Sequence, residues 1–529
     1  MALAVAMRVV SQAWVGDEAY ITMRTVDQFV NGSGLRWNPD ERVQSFSHPL
    51  WLGLVSIAYA VTREVPWTLT VLGALCSAAA FVVLVSTGRE RNWPSLALPF
   101  LLFVTCPPLF LFGSSGLENP LSGLLLVGFG TILVNGLRRD RMPWVRLTGL
   151  GALAMTTRLD LAIALTPGFL FAVLQSWPHV RWKRVAAGTL PWLAWSGFAL
   201  VYYGTVLPNT APARFTSGAG PIAFVTRGVG DLTAVLADHP AVAITFGLAL
   251  VITIRSIRAA SRDRTETDAG ALAALGLGAG LYALYIVWIG GDALVGRFWT
   301  TPLWIALFLI ARGLPALRVA IESKPRLERR MAQGGVIGLV LALHALPWLF
   351  DRTLGPRERP ALRRELAHLR LNQNYVWVAS PEAREAIARG HEVRARKDAD
   401  PLSVVQAGNV GFVGMTAGRD VRIVDASGRC DVLLARFAPT HDHVGARHRT
   451  VPAGYVAWRS SGDPHGLHPD LARYLERVHG LTSGPVFAGH RMRAIVDWNL
   501  GRFDGWLQGE RDPERHGPDR TVESGDTSD

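Results

Sequence analysis

Residues 16 to 51 read GDEAYITMRTVDQFVNGSGLRWNPDERVQSFSHPLW, a polar stretch that follows one apolar segment and precedes another. Its first two acids, Asp17 and Glu18, come directly after the apolar residues Ala2 to Val15. A helix leaving a bilayer would place them at the water boundary, where carboxylates are costly to keep unless they have a task. Tyr20, Met23, Val26 and Phe29 to Val30 then recur at helical spacing, which predicts a short amphipathic helix on the membrane surface. Asn31-Gly32-Ser33-Gly34 ends that helix, and Asn38-Pro39-Asp40 makes a turn.

Composition agrees with a membrane setting. Of the 529 residues, 49% are hydrophobic and 18% charged, and the charges are clustered; mean hydropathy is +0.22. The net charge of +12 comes from Arg and Lys flanking apolar segments, which is the pattern of cytoplasmic loops, and no nucleic-acid recognition motif accompanies it. Cys76, Cys106 and Cys430 offer neither a disulfide framework nor the spacing of a zinc site. There is no Walker motif, which argues against an ATP-driven pump.

The first apolar segment is short for a crossing, which takes about 20 residues. Either Arg8 snorkels on a tilted helix, or further residues precede this start. Pro49 to Thr62 reads as a second interfacial helix. The remaining apolar stretches are Trp67 to Ser86, Trp93 to Phe112, Pro120 to Leu137, Trp144 to Thr157, Leu161 to Gln175, Val185 to Tyr203, Ala241 to Ile257, Ala269 to Ile289, Trp299 to Ala311 and Gly334 to Phe350. The expected fold class is therefore a polytopic α-helical membrane protein with about eleven transmembrane helices. Threading them alternately puts five Arg/Lys-rich loops, from Arg89 and Arg91 to the run Arg312 to Arg330, on one face, which is then cytoplasmic.

The opposite face collects Asp17, Glu18 and His48, then Ser114 to Pro120, Thr157-Arg158-Leu159-Asp160, Leu207-Pro208-Asn209-Thr210 with Arg214, and Gly290-Gly291-Asp292 with Gly296-Arg297-Phe298. Five loops distant in sequence thus place acids, arginines or amides at one boundary, as an active site facing the outer compartment would. Asp17 and Glu18 are the candidates for chemistry, because a carboxylate near an apolar boundary can accept a proton from an attacking hydroxyl; the same pair would also suit a divalent cation, if one is used. Arg297 and Arg158 suit an anionic phosphate, since a guanidinium grips two oxygens at once. Asp160 would pair with Arg158, Asp292 would hold a sugar hydroxyl or position Arg297, and His48 could hydrogen-bond a phosphate. Asn209 is either a turn-former or a ligand. Glu118 reads first as the cap of the helix that begins at Asn119.

Domain organisation follows the hydropathy: a transmembrane catalytic domain over 1–350, a small extracytoplasmic α/β domain over 351–509, and a polar, disordered tail over 510–529. The second of these opens with a charged helical run, Arg357 to Arg370. It then shows strand-like Tyr375 to Ala379, Ser403 to Gln406 and Val421 to Val424, alternating with helical Pro381 to Arg389 and Pro469 to Val478. His441-Asp442-His443 with His448 reads as loop polarity, not a metal site, and Gly408 to Gly414 lacks the dinucleotide pattern.

Taken together, Gly16 to Ile21, Asn31 to Pro39 with Ser47 to Trp51, Ser115 to Leu121, Thr157 to Asp160, Tyr203-Gly204 with Pro208 to Thr210, and Gly290 to Asp292 with Gly296 to Phe298 resemble, in order and spacing, the GT-C glycosyltransferases. So do Gly408 to Gly411, Val424 to Gly428 and Asp431 to Arg436, and the likeness covers most of residues 10 to 500. Within GT-C the chain looks most like the terminal arabinofuranosyltransferases of actinobacterial cell walls, with Glu18 where Asp is commoner. The resemblance implies a polyprenyl-phosphate donor (decaprenyl-phosphate arabinofuranose), an arabinan acceptor outside the plasma membrane, Asp17 as the catalytic or substrate-positioning acid and Arg297 near the donor phosphate. Relatives that transfer mannose or other sugars share the same loop. Two further classes stay open: a secondary transporter, whose charges should gather at mid-membrane, and a non-catalytic envelope protein.

Overall fold

The computed structural model describes residues 1–86, 93–216, 220–263, 265–322, 325, 367–396, 403–406, 408–443 and 446–507. The apolar stretch Gly334 to Phe350, the boundary read at 350/351, the start of the charged run at Arg357 and the tail from 510 lie outside them. The chain forms two compact units, each assembled from separated segments: Met1–Val26, Ser47–Trp195 and Ala219–Ala388 in the first, Asp27–Phe46, Ser196–Gly218 and Arg389–Asp529 in the second.

The first segment differs from expectation. Helix α1 covers Ala2–Val10 and stops; Trp14–Gly16 is a strand, β1, so the apolar run to Val15 is not one helix. A β-branched and aromatic pair suits a strand, and this strand has a partner more than 350 residues away that periodicity cannot reveal. β1 pairs antiparallel with β2 (His368–Leu371), Trp14 opposite Arg370, and β2 with β3 (Trp377–Ala379). The last part of the expected helical run Arg357 to Arg370 is therefore strand. Trp14 is buried and donates its indole N–H to the Leu111 carbonyl at 2.9 Å.

Helix α2 spans Asp17–Val30, as the spacing of Tyr20, Met23 and Val26 predicts. Its polar side is not left to solvent, however. Thr22, Arg24, Thr25 and Gln28 are buried together with Met23 and Val26, so protein covers the polar side of the helix as well as the apolar one. Helix α3 (Pro49–Thr62) has the expected bounds, with Pro49 at its first position, where the missing N–H costs nothing.

Among the described residues, six helices are long and apolar enough to cross a membrane. These are α4 (Pro66–Ser86), α7 (Asn119–Arg138), α10 (Trp182–Tyr203), α13 (Pro240–Arg262), α14 (Thr267–Trp288) and the Thr300–Val319 part of α15 (Thr300–Glu322). The expected stretch Trp93 to Phe112 breaks into α5 (Trp93–Thr105) and α6 (Pro107–Leu111), because Pro107 forces Cys106 out of helical geometry, to φ −91° and ψ 99°. Helices α8 (Trp144–Thr157) and α9 (Leu161–Gln175) keep the expected bounds but fall short of the roughly 20 residues of a full crossing. Helix α11 (Thr210–Phe215) is short, and α12 (Pro221–Asp238) lies in a stretch where no element was expected.

In the first unit α7, α14 and α15 have chemically distinct ends. At one end Arg138 Nε meets both Asp268 oxygens at 2.8 and 2.6 Å, and Arg312 bonds the Asn135 side chain at 3.0 Å. The other end carries Glu118, Tyr282 and Arg297.

In the second unit the parallel pair β4 (Ser403–Gln406) and β5 (Arg422–Asp425) is joined through α17 (Val410–Ala417); α16 (Pro381–Arg396) precedes it. A hairpin of β6 (His441–His443) and β7 (Ala446–His448) follows, then α18 (Tyr455–Ser461), α19 (Pro469–Ser483) and α20 (Gly489–Asn499). Its core gathers Val424, Leu433, Leu434, Phe437, Tyr455, Tyr474, Leu475 and Leu507. The loop segments of this unit are stitched to it by polar side chains: Asn38 exchanges hydrogen bonds with the Ile423 backbone at 3.0 Å in both directions, and Arg449 donates to the carbonyls of Phe437, Ser427 and Ala213.

Candidate functional site

The site grows from a turn. Gly116, at φ +82°, holds a conformation that glycine adopts without strain, and a Cβ there would stand 2.7 Å from Ala19 Cβ. Its carbonyl accepts the Trp51 indole N–H at 3.0 Å. Two residues later Glu118 occupies the cap position of α7 but makes no side-chain capping bond; the expectation that it serves as a cap is not met. Its carboxylate, 1% exposed, instead faces three cationic or basic groups. Oε1 lies 3.4 Å from Arg158 Nη1 and 3.3 Å from Arg297 Nη2, and Oε2 lies 3.3 Å from His48 Nδ1.

Arg158 follows the last residue of α8 in extended conformation, φ −155° and ψ 119°. Its guanidinium grips Asp160 with two bonds, 3.0 and 2.6 Å, and the Tyr282 hydroxyl bridges the same pair, 3.1 Å from Nη2 and 2.8 Å from Asp160 Oδ2. The Phe298 ring lies beneath it at 4.3 Å, a cation–π contact that offsets part of the cost of burial. Arg297, in the loop before α15, pairs with Glu18, with Glu118 and with Asp292 at 3.4 Å. The Arg297 carbonyl accepts from Asn119 Nδ2 at 3.0 Å and from Thr300 Oγ1 at 2.7 Å, which fixes the loop against the start of α7. Asp292 also accepts from the Ala293 amide at 2.8 Å. His48 Nε2 and the Thr22 hydroxyl are 2.9 Å apart.

The electrostatics separate the roles. Burial alone would raise the Glu118 carboxyl, but Arg297, then His48 and Arg158, outweigh it and hold the group at about 2. It is a permanent anion and a poor proton acceptor, which suits it to orienting guanidinium groups. His48 is pushed below its ordinary value, first by burial and then by Arg297 and Arg158, against the pull of Glu118; at neutral pH it is a neutral imidazole. Asp17 opens α2, partly exposed, with Glu18 beside it; both sit where the helix N-terminus favours negative charge.

Of the residues singled out in the sequence, Glu18, His48, Arg158, Asp160, Asp292 and Arg297 therefore join one polar network in the first unit, through Glu118, and Asp17 adjoins it in the chain. Asn209 belongs to the second unit. There its amide donates to the carbonyls of Gly428, Arg429 and Asp431 at 2.9 to 3.1 Å. Tyr282 was missed; its signal is a hydroxyl in an apolar helix, which needs a partner. Among the described residues no group of three or more His, Cys, Asp or Glu could hold a metal ion; the side chains of His441 to His443 lie outside them.

The chain is 28% identical, over 92% of its length and 88% of the relative's, to the terminal β-(1→2)-arabinofuranosyltransferase of Mycobacterium tuberculosis. It is a glycosyltransferase homologue. A second match is to the terminal β-(1→2)-arabinofuranosyltransferase of Corynebacterium glutamicum, at 26% identity over 57% of this chain and 48% of that protein. No protein-family profile and no solved structure matches the chain. The first similarity spans nearly the whole chain.

Proposed function

We propose that the chain is a multi-pass enzyme of the plasma membrane that transfers a sugar, D-arabinofuranose, from a polyprenyl-phosphate donor to an arabinan of the cell wall on the extracytoplasmic face. The observation that carries this reading is the network in which Arg297 and Arg158 share the buried Glu118 while Arg297 reaches Glu18, the neighbour of Asp17. It unites guanidinium groups and carboxylates, the kinds of group such a transfer needs, drawn from four loops. The names of the two relatives add the sugar and a β-(1→2) linkage, which makes the acceptor group a 2-hydroxyl.

In this mechanism the donor enters sideways from the lipid and its phosphate oxygens are gripped by Arg297 and Arg158. Asp292 and His48 hold sugar or phosphate oxygens. The acceptor oxygen forms a bond to the anomeric carbon as the bond from that carbon to the phosphate oxygen breaks; polyprenyl phosphate leaves with the electron pair, and the hydroxyl proton passes to Asp17. Phosphate is already a good leaving group, so positioning and charge stabilisation supply most of the acceleration.

Sidedness rests on two supports. The helix ends opposite the network carry Arg138 and Arg312, as a cytoplasmic end should. The segments 27–46 and 196–218, which alternate threading puts outside, share one unit with the chain after Arg389, which favours an outer position for the C-terminal α/β region, with eleven spans in all.

Purified protein in liposomes, given labelled polyprenyl-phosphate arabinose or mannose and an arabinan fragment, tests the reading. Transfer of arabinose alone is expected, and Asp17→Asn should abolish it while the protein still inserts and melts like wild type. Wild-type turnover in that variant refutes the assignment of the base, and mannose transfer refutes the donor.

A further inference from the structure

The last helix of the second unit lies across the end of a membrane span. Arg491, on α20 and fully buried, donates from Nη1 to the Val201 carbonyl at 2.7 Å and from Nη2 to the Tyr202 carbonyl at 2.9 Å, while its remaining bonds go to Leu481 and Val486. Asn499, at the other end of α20, donates to the Gly204 carbonyl at 2.7 Å. Val201 and Tyr202 belong to the final turn of α10, whose carbonyls have no partner within the helix. Only 11% of the apolar window of α10 is buried in protein, so this span faces lipid and its orphan carbonyls must be satisfied where water is scarce. α20 does that, and is thereby fixed at the level where α10 ends.

The same helix presents an apolar stripe that protein does not cover. Met492, Val496 and Leu500 recur at every fourth residue and are 37%, 56% and 63% exposed, and Phe487 just before the helix is 83% exposed. Arg493 and His490, both exposed, flank the stripe, while Arg491 and Ile495 face the core. Just after α10, Val206 and Leu207 are also exposed, and Phe198 stacks on Tyr202 at 5.1 Å between ring centres in its last turns, where a tyrosine suits a lipid–water boundary. An apolar stripe with basic flanks, held level with the end of a span, matches the headgroup zone of a bilayer.

We propose that α20 is an interfacial helix, lying in the plane of the membrane where α10 leaves the hydrocarbon, with Phe487, Met492, Val496 and Leu500 set among the acyl chains and Arg493 and His490 among the headgroups. It ties the second unit to the bilayer independently of any substrate.

Nitroxide labels at V496C, L500C and, as polar control, R493C, in a chain with Cys76, Cys106 and Cys430 replaced by alanine and reconstituted into phospholipid liposomes, test this. Oxygen should relax the labels at 496 and 500 more than a water-soluble nickel chelate does, and the order should reverse at 493. Chelate dominance at all three positions overturns the proposal, as does spin–spin coupling that fades on dilution with unlabelled protein, which would mean that a second copy covers the stripe. If the cysteine-free chain does not fold, benzoylphenylalanine at position 500 of the native chain gives the same decision: photo-adducts with lipid support it, and adducts with another chain, or none, overturn it.

Discussion

Replacing Glu118 by Gln keeps the shape of the side chain and removes its charge from between two guanidinium groups. The carboxyl titrates at about 2 instead of 4.5, so the folded protein prefers the charged form by about 3 kcal/mol, at about 1.4 kcal/mol per tenfold change in acidity. Removing one member of a buried ionic group costs about 3–5 kcal/mol. The lower figure applies here, because Arg158 keeps both bonds to Asp160 and Arg297 keeps Glu18 and Asp292. At about 2 °C per kcal/mol for a chain of this size, Glu118→Gln should melt about 6 °C below wild type at pH 7, measured by scanning fluorimetry in detergent.

The pH dependence adds a sign. A carboxyl whose folded value lies below its unfolded value contributes stability that is complete above pH 4.5 and is lost as pH falls from 4.5 toward 2. The gap between wild type and Glu118→Gln should therefore be constant from pH 5 to 8 and close as pH falls below about 4. A variant that melts at or above the wild-type temperature at pH 7 would mean that the network carries no net interaction energy through Glu118, and the reading of it as an organising anion fails.

Arg297→Lys should raise the donor KM at least about tenfold, ~1.4 kcal/mol, because an ammonium cannot reach Glu18, Glu118 and Asp292 while also gripping a phosphate; titrating polyprenyl-phosphate sugar at saturating acceptor measures it. Gly116→Ala should cost about 2–4 kcal/mol, combining a left-handed alanine with the clash against Ala19, and thermal melting reads the loss. In the second unit, Arg459 pairs with Glu41 at 2.8 Å and Asp40 at 3.4 Å. Arg459→Gln should cost about 3–5 kcal/mol by leaving the buried Glu41 without its cation. Glu41→Gln should cost under about 1 kcal/mol, since burial, against the pull of Arg459 and with Asp40 and Asp431 adding to it, already raises that carboxyl to about 7; parallel denaturation of the two variants checks the contrast.

Much of the site was legible because apolar helices make polar residues conspicuous. Asp17 and Arg158 stand at helix ends and Asp292 and Arg297 in the loop between α14 and α15, where a charge beside a run of hydrophobic residues stands out even though capping or snorkelling could also account for it. Partner choice was less legible. Glu118 reads as a cap because it precedes Asn119 and Pro120, yet its carboxylate turns away from the helix amides toward three loops that only packing brings near. The amphipathic spacing of α2 located the helix but misjudged its surroundings, since Thr22, Arg24 and Thr25 look like a solvent face until other segments bury them.

The strand at Trp14 shows the same limit from another side. Three residues cannot announce a strand by alternation, and their partners at His368 to Leu371 sit where charge suggested a helix. What settles both is backbone satisfaction. Having left α1, the chain needs donors and acceptors for the N–H and C=O groups of Trp14 to Gly16, and β2 supplies them. The consequence reaches the site, because β1 runs directly into Asp17, whose amide still bonds the Ala367 carbonyl at 3.3 Å. The acid proposed as the base is thus held by a sheet on one side and, through Glu18 and Arg297, by the ion network on the other, so its position depends on segments from the beginning, middle and end of the chain.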